Sequence, residues 1–74
     1  MLEQLRGLRE DRDLTQSDVA GMLNVSQNTY SDYEHGKINI PIPSLIKLAL
    51  YFDTSIDYIV GITREQKPYP RSKD

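Results

Sequence analysis

The sequence has no cysteine, no tryptophan and a single histidine, His35. Without cysteine there is no disulfide to staple a small domain, no thiolate metal ligand and no thiol nucleophile. One histidine cannot build a zinc site by itself. No apolar run approaches the roughly 18 residues needed to span a bilayer. The start, Met1-Leu2-Glu3-Gln4-Leu5-Arg6, lacks a basic segment followed by an apolar one and does not read as a signal peptide. There is no glycine-rich phosphate loop and no metal-ligand spacing. Asp11, Asp13 and Asp18 fall at predicted helix ends, where the helix dipole and capping account for them. These absences leave enzyme catalysis, cofactors, metals and membrane insertion without support, and the expected location is cytoplasmic.

Basic charge is scarce as well. Nine Lys and Arg face eleven Asp and Glu, a net charge of −2. The imbalance is uneven. Residues 1–61 hold five basic groups (Arg6, Arg9, Arg12, Lys37, Lys47) and nine acidic ones, whereas residues 62–74 hold four basic (Arg64, Lys67, Arg71, Lys73) and two acidic. A chain of 74 residues is one domain with a small core, so its stability must come from helix packing, caps or a partner subunit.

What the sequence does have is helical periodicity. Leu2, Leu5 and Leu8, with Arg6, Arg9 and Arg12 on an adjacent face, predict an amphipathic helix over about residues 2–12. Gly7 inside it costs about 1 kcal/mol relative to alanine, and close approach of a neighbouring helix is one reason to keep it. Thr15-Gln16-Ser17-Asp18 reads as a capping box with aspartate in the acidic position. The helix it opens carries Val19, Met22 and Leu23 as its apolar stripe and stops at Leu23, because Asn24 tolerates a positive φ. Ser26 caps a third helix over about residues 27–35, with Tyr30 and Tyr33 buried, His35 capping carbonyls at its end and Gly36 closing it. Residues 37–43 are extended, since Pro41 and Pro43 disfavour helix before them. Pro43 suits the first turn of a fourth helix bearing Leu45, Leu48, Ala49 and Phe52. Ser55 caps a short fifth helix whose Ile56, Ile59 and Val60 point inward, and Gly61 ends it. The domain therefore covers residues 1–61. Residues 62–74, with two prolines and no apolar period, read as a disordered polar tail, either a solvated terminus or a basic arm.

Residues 15–36 carry the functional signal. Two short helices joined by four residues must cross steeply, which needs a small residue at the contact, a positive-φ residue in the turn and apolar plugs in the angle. Ala20, Asn24, and Val19 with Val25 and Tyr30 meet these needs in turn.

With those residues in view, the chain resembles the Cro/repressor-type helix-turn-helix family, also called the xenobiotic-response-element family. The match runs through Leu14-Thr15-Gln16, Val19-Ala20, Leu23, Val25-Ser26-Gln27, Tyr30-Ser31, Tyr33-Glu34 and Gly36-Lys37. It continues through Leu45, Leu48-Ala49, Phe52 and Ser55-Ile56-Asp57-Tyr58-Ile59. The resemblance implies an all-α, five-helix lambda-repressor-like bundle that binds double-stranded operator DNA, usually as a dimer on a palindrome, with its third helix in the major groove. Carried over residue by residue, it assigns base reading to Gln27 and Asn28. Thr29 and Ser31 become base or phosphate contacts, and Gln16, Ser26 and Lys37 phosphate contacts. It pairs Arg9 with Glu34 in a structural salt bridge. The implied regulator is a transcriptional repressor, and a homodimer would form through helix 5 and its flank with Tyr58, Ile59 and Ile62.

Bland readings stand beside the sharp ones. Gln27, Asn28 and Gln16 are also ordinary polar residues at helix starts. The arginine row is either a phosphate stripe or one structural arginine with two solvated ones. The chain departs from the family pattern in three places: Asn24 replaces the usual turn glycine, the third helix lacks Lys and Arg and carries Asp32, and residues 39–43 are unusually apolar. The acidic balance keeps a second reading open, a protein-interaction module on the same fold, such as an antitoxin or an antirepressor-like factor.

Overall fold

A computed structural model describes residues 1–70. Among them there are five helices and no strand: α1 (Glu3–Asp11), α2 (Gln16–Leu23), α3 (Gln27–His35), α4 (Ile42–Tyr51) and α5 (Ile56–Val60). The predicted all-α, five-helix order is the order observed.

Local chemistry sets most of the boundaries. The Thr15 hydroxyl accepts from the Asp18 amide at 3.0 Å, and the Asp18 carboxylate accepts from the Thr15 amide at 2.8 Å, a reciprocal capping box. Those bonds hold the Asp18 carboxyl below its ordinary range. Asn24 closes α2 at φ 58°, ψ 42°, the left-handed conformation predicted for it. The Ser26 and Ser55 hydroxyls accept from the amides of Thr29 and Tyr58. Gly36 and Gly61 close α3 and α5 at φ 74° and 88°. Asp13 and Asp53 also take positive φ, 56° and 52°, which their residue type tolerates but which the sequence reading did not single out. Helix α4 starts one residue before Pro43, with Pro41 at its N-cap.

The core gathers one face from each helix: Leu5 and Leu8, then Val19, Ala20 and Leu23, Tyr30 and Tyr33, Leu48, Ala49 and Phe52, and Ile59. Val25 and Met22 pack at its edge, half-buried. Ala20 is 2% exposed and belongs to the core face of α2. The expectation for Gly7 is corrected: a methyl group there would meet nothing within 4 Å, so no close packing requires glycine.

The arginine row divides into three unlike roles. Arg6 pairs with Glu10 at 3.2 Å on the surface. Arg9 is buried. Arg12 lies over the Tyr51 and Phe52 rings, 5.2 Å from each centroid, and donates to the Tyr51 carbonyl at the end of α4. Past Val60 the described residues 62–70 form no helix or strand, yet they are tied down at two points. The Thr54 hydroxyl donates to the Gln66 carbonyl at 2.6 Å, and the Tyr69 hydroxyl donates to Asp57 at 2.8 Å. Arg71 and Lys73 of the expected tail lie outside the described residues.

Candidate nucleic-acid interface

Helix α3 has two contrasting sides. At 100° per residue, Tyr30, Tyr33 and Glu34 share one side, and all three are buried. Asn28, Ser31, Asp32 and His35 share the other. Gln27 and Asn28 are exposed, and among the described residues neither side chain makes a hydrogen bond. Four amide N–H donors and two carbonyl acceptors at the start of α3 are thus open to solvent. The Ser26 hydroxyl is more occupied than the sequence suggested. It accepts from the Thr29 amide at 3.1 Å and donates to the Thr29 hydroxyl at 3.0 Å, leaving the half-buried Thr29 with the free proton. Ser31 is half-buried beside His35, whose Nδ1 is 2.7 Å from the Ser31 carbonyl. That contact reaches a carbonyl four residues back within the helix, not one of the open carbonyls at its end that His35 was expected to cap. Lys37 is exposed just past Gly36 and makes no ion pair among the described residues.

Behind α3 lies a closed polar cluster. Glu34, 1% exposed, accepts from Arg9 Nε at 2.7 Å and Arg9 Nη2 at 3.3 Å. It also accepts from the Tyr30 hydroxyl at 2.6 Å and from Gln16 Nε2 at 3.3 Å. Arg9 Nη1 donates to the Leu14 carbonyl at 2.9 Å, so the guanidinium also pins the α1–α2 turn. No buried side-chain polar atom among the described residues lacks a partner. Burial pushes the Glu34 carboxyl upward, but the bonds from Arg9, Tyr30 and Gln16 outweigh it and hold the group below the usual carboxylate range. The bond to Glu34 raises Arg9 further, and burial followed by the Glu34 contact raises Tyr30. The Arg9–Glu34 pair was expected. Tyr30 was assigned only to the core, and its hydroxyl was missed, although Tyr30 and Glu34 lie four apart on one helix face, where side chains meet.

Gln16 joins the two regions. It is half-buried at the first position of α2, and one amide N–H is bound to Glu34, leaving a second N–H and the carbonyl oxygen. The expected site residues therefore fall into two groups. Ser26, Gln27, Asn28 and Thr29 stand at the start of α3, and Gln16 and Lys37 stand toward its far end. Ser31 lies between. The face contains one carboxylate, Asp32, half-exposed between Asn28 and His35. No group of carboxylates and histidine suited to a metal occurs among the described residues. No helix of the described residues is long and apolar enough to cross a membrane.

This arrangement defines a helix-turn-helix domain, and the comparisons agree. A family model described as helix-turn-helix matches residues 5–59, and the chain belongs to that Cro/C1-type helix-turn-helix family. It is 32% identical to the uncharacterized HTH-type transcriptional regulator YobD of Bacillus subtilis, over 97% of this chain and 64% of that protein. It is 37% identical to the cryptic phage CTXphi transcriptional repressor RstR of Vibrio cholerae, over 78% of this chain and 52% of that protein. A shorter stretch, 61% of this chain and 33% of the relative, is 47% identical to the HTH-type transcriptional repressor RghR of Bacillus subtilis. The chain thus spans between a third and two thirds of the length of these curated relatives. No solved structure matches it. The relatives are named as transcriptional regulators and repressors, in line with the reading that the domain is not an enzyme.

Proposed function

We propose that the domain is a sequence-specific DNA-binding transcriptional regulator, a repressor that sets α3 into the major groove of a palindromic operator. The observation that carries this is the exposed start of α3, where Gln27, in the first turn, and Asn28, opposite the buried Tyr30–Tyr33–Glu34 side, are both exposed and have no partner of their own among the described residues. Gln and Asn side chains bond bidentately to adenine at N6 and N7. Nine residues at about 1.5 Å each separate the two candidate phosphate groups by roughly 13 Å, close to the ~12 Å width of the major groove. In this reading Ser26 and Thr29 hold a phosphate at one end, Gln16 and Lys37 hold one at the other, and Ser31 supports the face between them. Phosphate contacts fix register while Gln27 and Asn28 read bases. A palindrome calls for two copies of the domain.

One observation favours a second reading, a protein-interaction module on the same fold. The outward side of α3 carries Asp32 and no Lys or Arg, and residues 1–61 are net acidic. Selection from a pool of random duplexes at two salt concentrations separates the two. A DNA reader enriches a two-fold symmetric sequence and weakens steeply with salt. Absence of enrichment at low salt would leave the interaction module as the function.

A further inference from the structure

The proposed function leaves the one carboxylate on the outer side of α3, Asp32, without a use. Asp32 stands four residues on from Asn28 and, at 100° per residue, only about 40° round the helix from it, opposite the buried Tyr30, Tyr33 and Glu34. Its side chain is half-exposed, and among the described residues no hydrogen bond or ion pair holds the carboxylate. Its backbone is tied down: the Asp32 carbonyl accepts from the Gly36 and Lys37 amides that close α3. The residue is therefore fixed in place and open at its acceptor end. No Lys or Arg in α3 offsets the charge.

A carboxylate carried toward DNA is repelled by the phosphates and by every acceptor on a base edge. Ionised, it accepts hydrogen bonds and donates none. In the major groove guanine offers two acceptors and thymine one, and adenine sets its N6 donor beside the acceptor N7. Cytosine alone shows a donor, N4–H2, with no acceptor of its own. We infer that Asp32 specifies a C·G pair in each half-site, its carboxylate accepting from cytosine N4 and rejecting the other bases by repulsion. Four residues at about 1.5 Å each carry the carboxylate about 6 Å along the axis from Asn28, under two base-pair rises of about 3.4 Å. The cytosine thus falls one or two pairs from the adenine assigned to Asn28. The same charge lowers affinity for unrelated sequence, where no N4 group stands in the required place. The inference rests on the reading of α3 as a DNA-binding helix and adds to it the base that the acidic residue demands.

The test is selection from random duplexes by the 74-residue chain and by its Asp32→Ala and Asp32→Asn variants, with thermal melts of all three. The parent is expected to enrich a half-site with one fixed C·G pair. Asp32→Ala is expected to lose preference at that pair and keep the rest of the half-site, and Asp32→Asn to exchange the cytosine for adenine. Tm is expected to stay unchanged in both. Titration with altered duplexes gives a second readout that needs no change to the parent protein. Replacing the C·G pair by T·A, which sets thymine O4 against the carboxylate, is expected to weaken the parent at least tenfold and Asp32→Ala less than twofold. On a duplex of unrelated sequence Asp32→Asn is expected to bind at least twofold tighter than the parent. A parent that enriches a half-site in which no pair responds to residue 32 would overturn the role of Asp32 and leave the DNA reading standing. A parent that enriches nothing at low salt would overturn both.

Discussion

Helix α3 carries polar side chains on both of its sides, and the two sides behave in opposite ways. On the inner side Glu34 is closed in by Arg9, Tyr30 and Gln16, and its lone pairs are taken. At the exposed start of the helix Gln27 and Asn28 meet no side-chain partner among the described residues. The same residue classes therefore serve different ends. A buried charge must be satisfied within the fold, because an uncompensated one destabilises it severely. An exposed amide is under no such demand and stays available to another molecule. The comparison teaches that polarity alone does not mark a binding residue; polarity without an internal partner does.

The contrast breaks most sharply at Glu34. Glu34→Gln leaves the Arg9 charge without its counter-ion, and so does the converse change Arg9→Met for Glu34. Either is expected to cost about 3–5 kcal/mol, a fall in Tm of roughly 15–30 °C by thermal circular dichroism. The double variant Arg9→Met, Glu34→Leu should recover part of the loss, since apolar replacement of a whole buried pair is tolerated better than half of it. If Glu34→Gln melts like the parent, the inner cluster is not what holds α1 against α3.

The outer side should respond in the opposite sense. Gln27→Ala and Asn28→Ala are each expected to weaken binding to the selected duplex by about 1–3 kcal/mol, with Tm unchanged. A loss of Tm with unaltered affinity would move these residues to the structural side of the comparison.

Acid titration sharpens the same distinction. The Glu34 carboxyl is held below its ordinary value in the folded state. Its stabilising contribution is fully present above the unfolded value, about 4.3, and is lost as pH falls through the depressed folded value. Chemical denaturation between pH 7 and pH 2 should show stability declining below about pH 4, and Glu34→Gln should remove that component of the slope. An unchanged slope in Glu34→Gln would assign the decline to other carboxylates.

The smallest expected effect is a gain. Gly7→Ala adds a methyl group with nothing within 4 Å of it, in the interior of α1. It should raise stability by about 0.4–1 kcal/mol, measured by urea titration, with no change in duplex affinity. A destabilised Gly7→Ala would restore the close-packing role first expected for that glycine.

How far each region was legible from the sequence follows from how local its chemistry is. Thr15 with Asp18, Asn24, Ser26, Gly36, Ser55 and Gly61 act within a few residues of themselves, so helix starts and stops could be read directly. The Tyr30 hydroxyl and the Gln16 amide were harder. Both reach Glu34, which lies 4 residues from Tyr30 and 18 from Gln16, and only the shorter of those separations is a helical repeat. Gln27 and Asn28 were named on resemblance, and their exposure had to wait for the packing of Tyr30 and Tyr33. Arg12 was read either as part of a phosphate stripe or as solvated, and its seat over Tyr51 and Phe52 spans 39 residues of chain to the Tyr51 carbonyl.

The amino-acid order by itself determined five helices, their caps and the apolar stripes that bring them together, because capping bonds and the 3.6-residue period are properties of short segments. The packed chain alone decided which polar groups are satisfied from within and which, like the Asp32 carboxylate, are left open. Those outcomes depend on which distant segments meet, and the local spacing of residues does not contain that information.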